Sequence, residues 1–180
     1  MKKTMLLAVL AISLGQVSAQ KKTTTSAVIN FDATTEIDAL PKAENKTVIA
    51  AIDTKKGTVA FEASIKSFSF SNPKIQEHFN GAGWMNSDQF PTATFNGNIS
   101  NLAEIDFGKE GTYKANVEGE LTMHGVAQKV KTTASIVVGK TINATAQFSV
   151  KLADYDIKGG AIAAGKVAKE PVITVSAEFK

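Results

Sequence analysis

The chain has no cysteine in its 180 residues and no arginine either; it has two histidines, two tyrosines and a single tryptophan. Without cysteine there are no disulfides and no thiolate metal ligands, so burial and backbone pairing alone must hold the fold. Arginine is the side chain that reads bases and phosphates bidentately. Its absence, with Lys interspersed among Asp and Glu, argues against nucleic acid as a partner. Two imidazoles, with no Gly-x-Ser-x-Gly, no His-Glu-x-x-His and no glycine-rich phosphate loop, assemble no catalytic constellation, so no enzyme activity and no cofactor are expected. Long apolar runs are also missing. The longest, Met5 to Leu14, is about half of the roughly 20 residues that span a bilayer, and no integral membrane span is expected.

That apolar stretch has a different use. Lys2 and Lys3 give a positive start, Met5 to Leu14 an apolar centre, and Val17-Ser18-Ala19 a small-residue cleavage site before Gln20, which together read as a secretory signal peptide over residues 1–19. No Cys follows the apolar centre, so a lipid-anchored lipoprotein is excluded. Cleavage after Ala19 leaves residues 20–180, enough for one domain with a real core. The formal charge of +3 includes Lys2 and Lys3, so the mature protein is close to neutral. Secretion without disulfides fits a bacterial periplasm.

What the mature chain does contain is alternation. From Thr112 to Thr122, Tyr113, Ala115, Val117, Gly119 and Leu121 alternate with Lys114, Asn116, Glu118 and Glu120, the period-2 pattern of a strand with one wet face. Beyond the turn at His124-Gly125, Val126, Val130, Ala134, Ile136 and Val138 continue the pattern against Lys129, Lys131, Thr133 and Ser135. Eight strands are predicted: Ser26 to Thr34, Thr47 to Asp53, Gly57 to Ser67, Thr92 to Leu102, Thr112 to Thr122, Val126 to Val138, Thr141 to Lys151 and Val172 to Phe179. Lys21 to Thr25 reads as a polar, disordered start. Asn72-Pro73 caps a short helix over Lys74 to Phe79, and Ala153 to Pro171 is a long Gly/Ala-rich connection. These two insertions are candidates for covering a mouth, or for packing as a plug.

One apolar and one polar face throughout, with a single short helix, predicts an all-β fold: an eight-stranded antiparallel lipocalin-like barrel. A strand of about 11 residues at roughly 3.3 Å each, tilted near 40°, makes a barrel on the order of 28 Å long, which suits an extended chain better than a compact metabolite. The inner stripes mix Ala and Gly with Phe, Val and Ile, and such a sheet does not fill itself when it closes. Parity assigns the cavity wall to Phe61, Ala63, Ile65, Phe95, Ile99, Tyr113, Ala115, Val117, Leu121, Ala134, Ile136, Ala144, Ala146 and Phe148. Phe68 and Phe70 fall on the opposite parity to Ile65, and a bulge would bring them back inward.

Several segments carry a family resemblance. Ser67-Phe68-Ser69-Phe70 is followed by Gln76-Glu77-His78-Phe79-Asn80, by Phe90-Pro91-Thr92-Ala93-Thr94-Phe95-Asn96-Gly97, by Gly119-Glu120-Leu121-Thr122-Met123-His124-Gly125-Val126 and, more loosely, by Ala153-Asp154-Tyr155-Asp156-Ile157. In order and spacing these resemble the YceI-like family of secreted bacterial barrels associated with polyisoprenoid and other lipid binding. The amino-terminal strands depart from that family, whose members commonly carry an early Trp and an Asp-x-x-His-Ser-like segment where this chain has Val28 to Asp32. The resemblance implies a barrel holding an amphiphile, a long-chain isoprenoid or other lipid, with its tail along the axis.

The remaining polar residues are weighed against structural roles. His124, beside Gly125 in a strand turn, reads as a hydrogen-bonded structural histidine; His78 is a candidate for the cavity mouth. Trp84 is either a plug at one barrel end or a lid over a ligand. Tyr113 either bonds a ligand head group or reaches water at the rim. Asp154 and Asp156 read as solvated. A ligand-free stress-response or protein-interaction module with a packed barrel is the alternative function, and a homodimer through an exposed face is compatible with either.

Overall fold

The computed structural model describes residues 20–180; the expected signal peptide and its cleavage point after Ala19 lie outside the described residues. Nine strands appear: β1 (Lys21–Asp32), β2 (Lys42–Asp53), β3 (Thr58–Ser64), β4 (Ser69–Phe70), β5 (Thr92–Ile99), β6 (Gly111–Met123), β7 (Val126–Val138), β8 (Ile142–Ser149) and β9 (Val172–Phe179), with helices α1 (Pro73–Asn80) and α2 (Gly160–Ala163). The order β1-β9-β8-β7-β6-β5-β3-β2, with β1 pairing β2 again, closes an antiparallel barrel of eight strands. The two-residue β4 is an addition, laid on β2 through Ala43↔Phe70 and Glu44↔Ser69.

The amino-terminal end corrects two expectations. Lys21 to Thr25 is ordered strand, paired with β2 from Lys21↔Asp53 to Thr24↔Ala50. Its alternation of Lys and Thr has no apolar face to detect, because backbone pairing holds this stretch, and burial begins only at Ala27. β2 likewise starts at Lys42, five residues before the expected Thr47. The buried Asn45 explains how so polar a segment is kept: Nδ2 donates to the Ser64 carbonyl at 3.0 Å, and Oδ1 accepts from the Thr47 backbone and hydroxyl. A buried amide with these partners ties β2 to the end of β3, where ladder pairing between the two has stopped.

The two longest connections, 65–91 and 150–171, leave the same end of the barrel, together with 33–41. Residues 33–41, 65–91 and 150–171 follow the ends of β1, β3 and β8, whereas the opposite end carries the shorter turns 54–57 and 139–141 and the segment 100–110. Asn72 caps α1 as its sequence predicts, its side chain accepting from the Lys74 and Ile75 amides. Phe68 and Phe70 reach the interior by a 3-10 turn over Ile65–Ser67 rather than by a bulge. They gather with Phe31, Phe79 and Trp84 into an aromatic cluster with centroid separations of 4.9 Å (Phe70–Phe79) to 6.4 Å (Phe70–Trp84). Trp84 is therefore part of a plug.

The barrel wall has a seam between β7 and β8. β6 and β7 pair over their whole length, but the β7–β8 ladder runs only from Val138↔Ile142 to Ala134↔Ala146. Past that point side chains bridge the gap: the Thr132 hydroxyl donates to the Gln147 carbonyl at 3.2 Å, and Gln128 Nε2 to the Asp154 carbonyl at 2.8 Å.

Candidate functional site: an apolar cavity along the barrel

Inside the barrel is a cavity of about 150 Å³, counted as room for the centres of water-sized spheres, a scale on which one water needs only about 10–15 Å³. Its lining runs from Ile99 and Phe179 at the short-turn end to Phe68, Phe79 and Met85 at the other, so the cavity is a slot along the barrel. Among the described residues no charged side chain lines it; its polar members are Thr94, Thr132 and Thr145. Small residues on its wall include Ala63, Ala93, Ala134, Ala144 and Ala146, with Ala134 paired to Ala146 across β7 and β8. Gly97 and Gly119, a register pair of β5 and β6, stand behind the wall.

Of the residues that parity assigned to the wall, Phe61, Ala63, Ile65, Phe95, Ile99, Val117, Leu121, Ala134, Ile136, Ala144, Ala146 and Phe148 do line the cavity. Tyr113 and Ala115 do not, and both are corrections. The Tyr113 hydroxyl donates to the Lys109 carbonyl at 3.0 Å, satisfied within the 100–110 segment at the short-turn end. Ala115 is fully buried, but its methyl does not reach the cavity surface. Alternation sets which face a side chain takes, not how far along the axis the empty space extends.

The wall also takes residues that parity reasoning left out. Ile29, Phe31 and Ile52 come from β1 and β2, and Ile173, Val175 and Phe179 from β9. The β9 residues alternate regularly and were within reach of the same parity argument. Phe68, Phe79 and Met85 close the top from the 65–91 connection; their placement depends on how that connection folds back, and strand periodicity says nothing about it. Val150 and Leu152 extend the wall past the end of β8.

The motif residues near the top serve architecture. His124 has φ +53° and Gly125 φ +77°, the left-handed pair of a tight hairpin turn. A carbonyl only accepts, so His124 Nδ1, 3.0 Å from the Tyr155 carbonyl, carries the proton there. The Phe90 ring packs against the imidazole at a tilt of 57° with centroids 4.6 Å apart, and a Cβ at Gly125 would stand 2.6 Å from that ring. His124 thus pins the hairpin to the 150–171 connection. Burial, with the Asp154 charge adding to it, pushes the Tyr155 phenol up to about 12. Asp154 and Asp156 are exposed and pair with Lys151 at 3.8 Å and Lys158 at 2.5 Å. His78, with Glu77, Gly81, Gly83, Trp84 and residues 159–162, borders a second, open groove of about 390 Å³ outside the aromatic plug.

A closed antiparallel barrel with an apolar slot along it, covered at one end by the two longest connections, defines a lipocalin-like barrel fold. A YceI-like domain model matches residues 15–179. The chain belongs to the YceI-like family. Among solved structures, it is similar to a polyisoprenoid binding domain from Saccharophagus degradans implicated in plant cell wall breakdown, at 14% identity over 89% of this chain and 98% of that one, with a TM-score of 0.74. BcnA of Burkholderia cenocepacia follows at 20% identity over 86% and 96%, TM-score 0.70. A YCEI protein of Campylobacter jejuni aligns over 100% and 99% at 17% identity, TM-score 0.54. No curated protein matches.

Proposed function

We propose that this barrel binds a hydrophobic or amphiphilic lipid of the isoprenoid class, in the periplasm after export, and that it stores, carries or senses that lipid rather than transforming it. The observation that carries this reading is the slot itself: lined by apolar side chains and three threonines, with no charged side chain among them, and with Ala63, Ala93, Ala134, Ala144 and Ala146 at positions on its wall where larger residues would take up space. Removing a prenyl tail from water contributes about 25 cal/mol per Å² of apolar surface buried. Methyl-branched chains suit a wall of Ile, Val, Ala and Phe, which offers contact everywhere and a hydrogen bond almost nowhere. The similarity in fold to the polyisoprenoid binding domain from Saccharophagus degradans points the same way.

Native mass spectrometry on the protein purified from its own periplasm without detergent, followed by solvent extraction, tests this. A discrete added mass identified as a long-chain lipid is the expected result. A bare chain mass that stays unchanged after incubation with prenyl lipids would return the reading to a ligand-free interaction module.

A further inference from the structure

Both ends of the slot are packed. At the short-turn end Ile99, Ile136 and Phe179 line it and are buried, and Val138 and Ile142, also buried, take no part in the lining. At the other end the slot stops at the aromatic cluster. Trp84 there has ring centroids 6.3 Å from Phe31 and 5.4 Å from Phe79, both of which line the slot, and it borders the outer groove itself. One indole thus stands between groove and slot. A tail that enters along the axis must pass one of these ends.

The groove follows the line where the two longest connections meet. Glu77, His78 and Trp84 stand on its 65–91 bank, and Gly159 to Ile162 on its 150–171 bank. Each connection is fastened to something else. The first pairs Phe70 with Ala43 of β2, and Gln76 ties α1 to the Phe68 carbonyl and the Phe70 amide. The second is held by His124 and Gln128 of the β6–β7 hairpin and by the Ala33 carbonyl, which accepts from the Ala168 amide. Among the described residues no hydrogen bond and no ion pair joins one connection to the other. They touch at Gly159, where a Cβ would stand 2.8 Å from the Gly83 carbonyl oxygen. Gly159 has φ −174°, extended backbone that any residue adopts, so this contact alone requires the missing side chain. Trp84 Nε1 is buried without a partner, so no bond fixes the indole, and parting the connections returns its N–H to water. We infer that the Gly83–Gly159 contact line is the mouth of the slot: the connections part along it, Trp84 swings into the groove, and the tail passes Phe79 into the barrel. This rests on the lipid-binding reading above. The groove has room for the movement, since a Cβ at Gly83 or Gly160 would meet nothing within 4 Å.

The test follows radiolabelled geranylgeraniol as it passes between phosphatidylcholine vesicles and the purified protein, in both directions. Gly159→Ala wedges the connections apart and should speed loading and release together, each about ten-fold, with their ratio unchanged to within about two-fold. The chain has no cysteine, so Gly83→Cys combined with Gly160→Cys can be bridged by a short bifunctional thiol reagent. Bridging should slow loading and release by about ten-fold or more, while the unbridged double variant exchanges like the parent. Rates that bridging leaves unchanged would overturn the mouth, whatever the wedge does, and leave lipid binding intact; faster exchange in Gln128→Ala would then put the route at the β7–β8 seam. A parent protein that takes up no geranylgeraniol would overturn the lipid-binding reading and the mouth with it.

Discussion

Gly97 and Gly119 face each other across β5 and β6, and the ring of Phe95 lies over both of them. A methyl at Gly97 would stand 2.7 Å from Phe95 Cζ, and one at Gly119 only 2.6 Å away. The paired glycines give the ring a flat bed against the wall, so that Phe95 contributes apolar surface to the slot without crossing it. Backbone also crowds the site, because the same methyl at Gly119 would press on the Asn96 carbonyl and stand 2.6 Å from Gly97 Cα. Two strands approaching this closely is what glycine in a strand interior commonly marks.

Gly119→Ala is therefore expected to destabilise the protein by about 1–3 kcal/mol through overpacking. Since backbone resists as well as the ring, Phe95→Ala in the same chain should recover less than half of that loss. Urea unfolding of the single and double variants measures both, and full rescue by Phe95→Ala would show that the ring alone needs the glycines.

Ala144 and Ala146 test the opposite wall. Both line the slot, each with one Ala beside it on a neighbouring strand: Ala146 pairs with Ala134, and Ala144 with Ala177. Ala144→Phe or Ala146→Phe puts a ring into existing space, so the folded barrel should survive with a stability change below about 1.5 kcal/mol, in contrast to the cost of about 1–3 kcal/mol for bulk forced into a packed core. Lipid binding in the native mass spectrum should fall at least ten-fold. Loss of folding would mean that the slot closes in solution.

Alternation made most of the barrel legible before any coordinates. In β5 to β8 the inner stripe is continuous, and Phe95, Leu121, Ile136 and Phe148 stand on the wall where their parity puts them. The illegible parts are those in which something other than a half-buried sheet face sets the structure. Lys21 to Thr25 shows no apolar face because backbone pairing to β2 alone fixes it. Ala115 obeys parity yet lies clear of the empty space. The plug joins Phe31 of β1 to Phe70, Phe79 and Trp84 of the 65–91 connection, a meeting of distant segments that no local period encodes.

The seam between β7 and β8 predicts uneven protection along one strand. Before Ala134, alternate β7 amides point toward β8 with no ladder partner, whereas from Ala134 to Val138 the ladder is intact. Amides of Val126 to Lys131 that face the seam should exchange with solvent at least ten-fold faster than those of Ser135 to Val138 that face β8. Gln128→Ala removes the bond to the Asp154 carbonyl and should raise the seam rates further. Uniform protection along β7, measured residue by residue by NMR, would remove the seam as the weak line of the wall. Since Val130, Thr132 and Phe148 border both seam and slot, the result also bears on how a lipid tail enters.

Tyr155 makes the fold less stable in alkali. Burial, assisted by the Asp154 charge, raises its phenol from 10.0 to about 12, so between those values the unfolded chain releases this proton and the folded chain keeps it. Folded protein then holds more protons than unfolded, and stability falls as pH rises through that window, having been fully present below pH 10. The loss attributable to this group is on the order of 2 kcal/mol by about pH 12. Lysines titrate in the same range, so the comparison is with Tyr155→Phe, which keeps the buried ring and removes the ionisation. Denaturant unfolding at pH 9 and pH 11.5 should show a steeper decline for the parent than for Tyr155→Phe. Parallel declines would mean that the phenol finds solvent or a donor in the folded state, and that the 150–171 connection, held to the hairpin by the His124 bond to the Tyr155 carbonyl, opens before the barrel does.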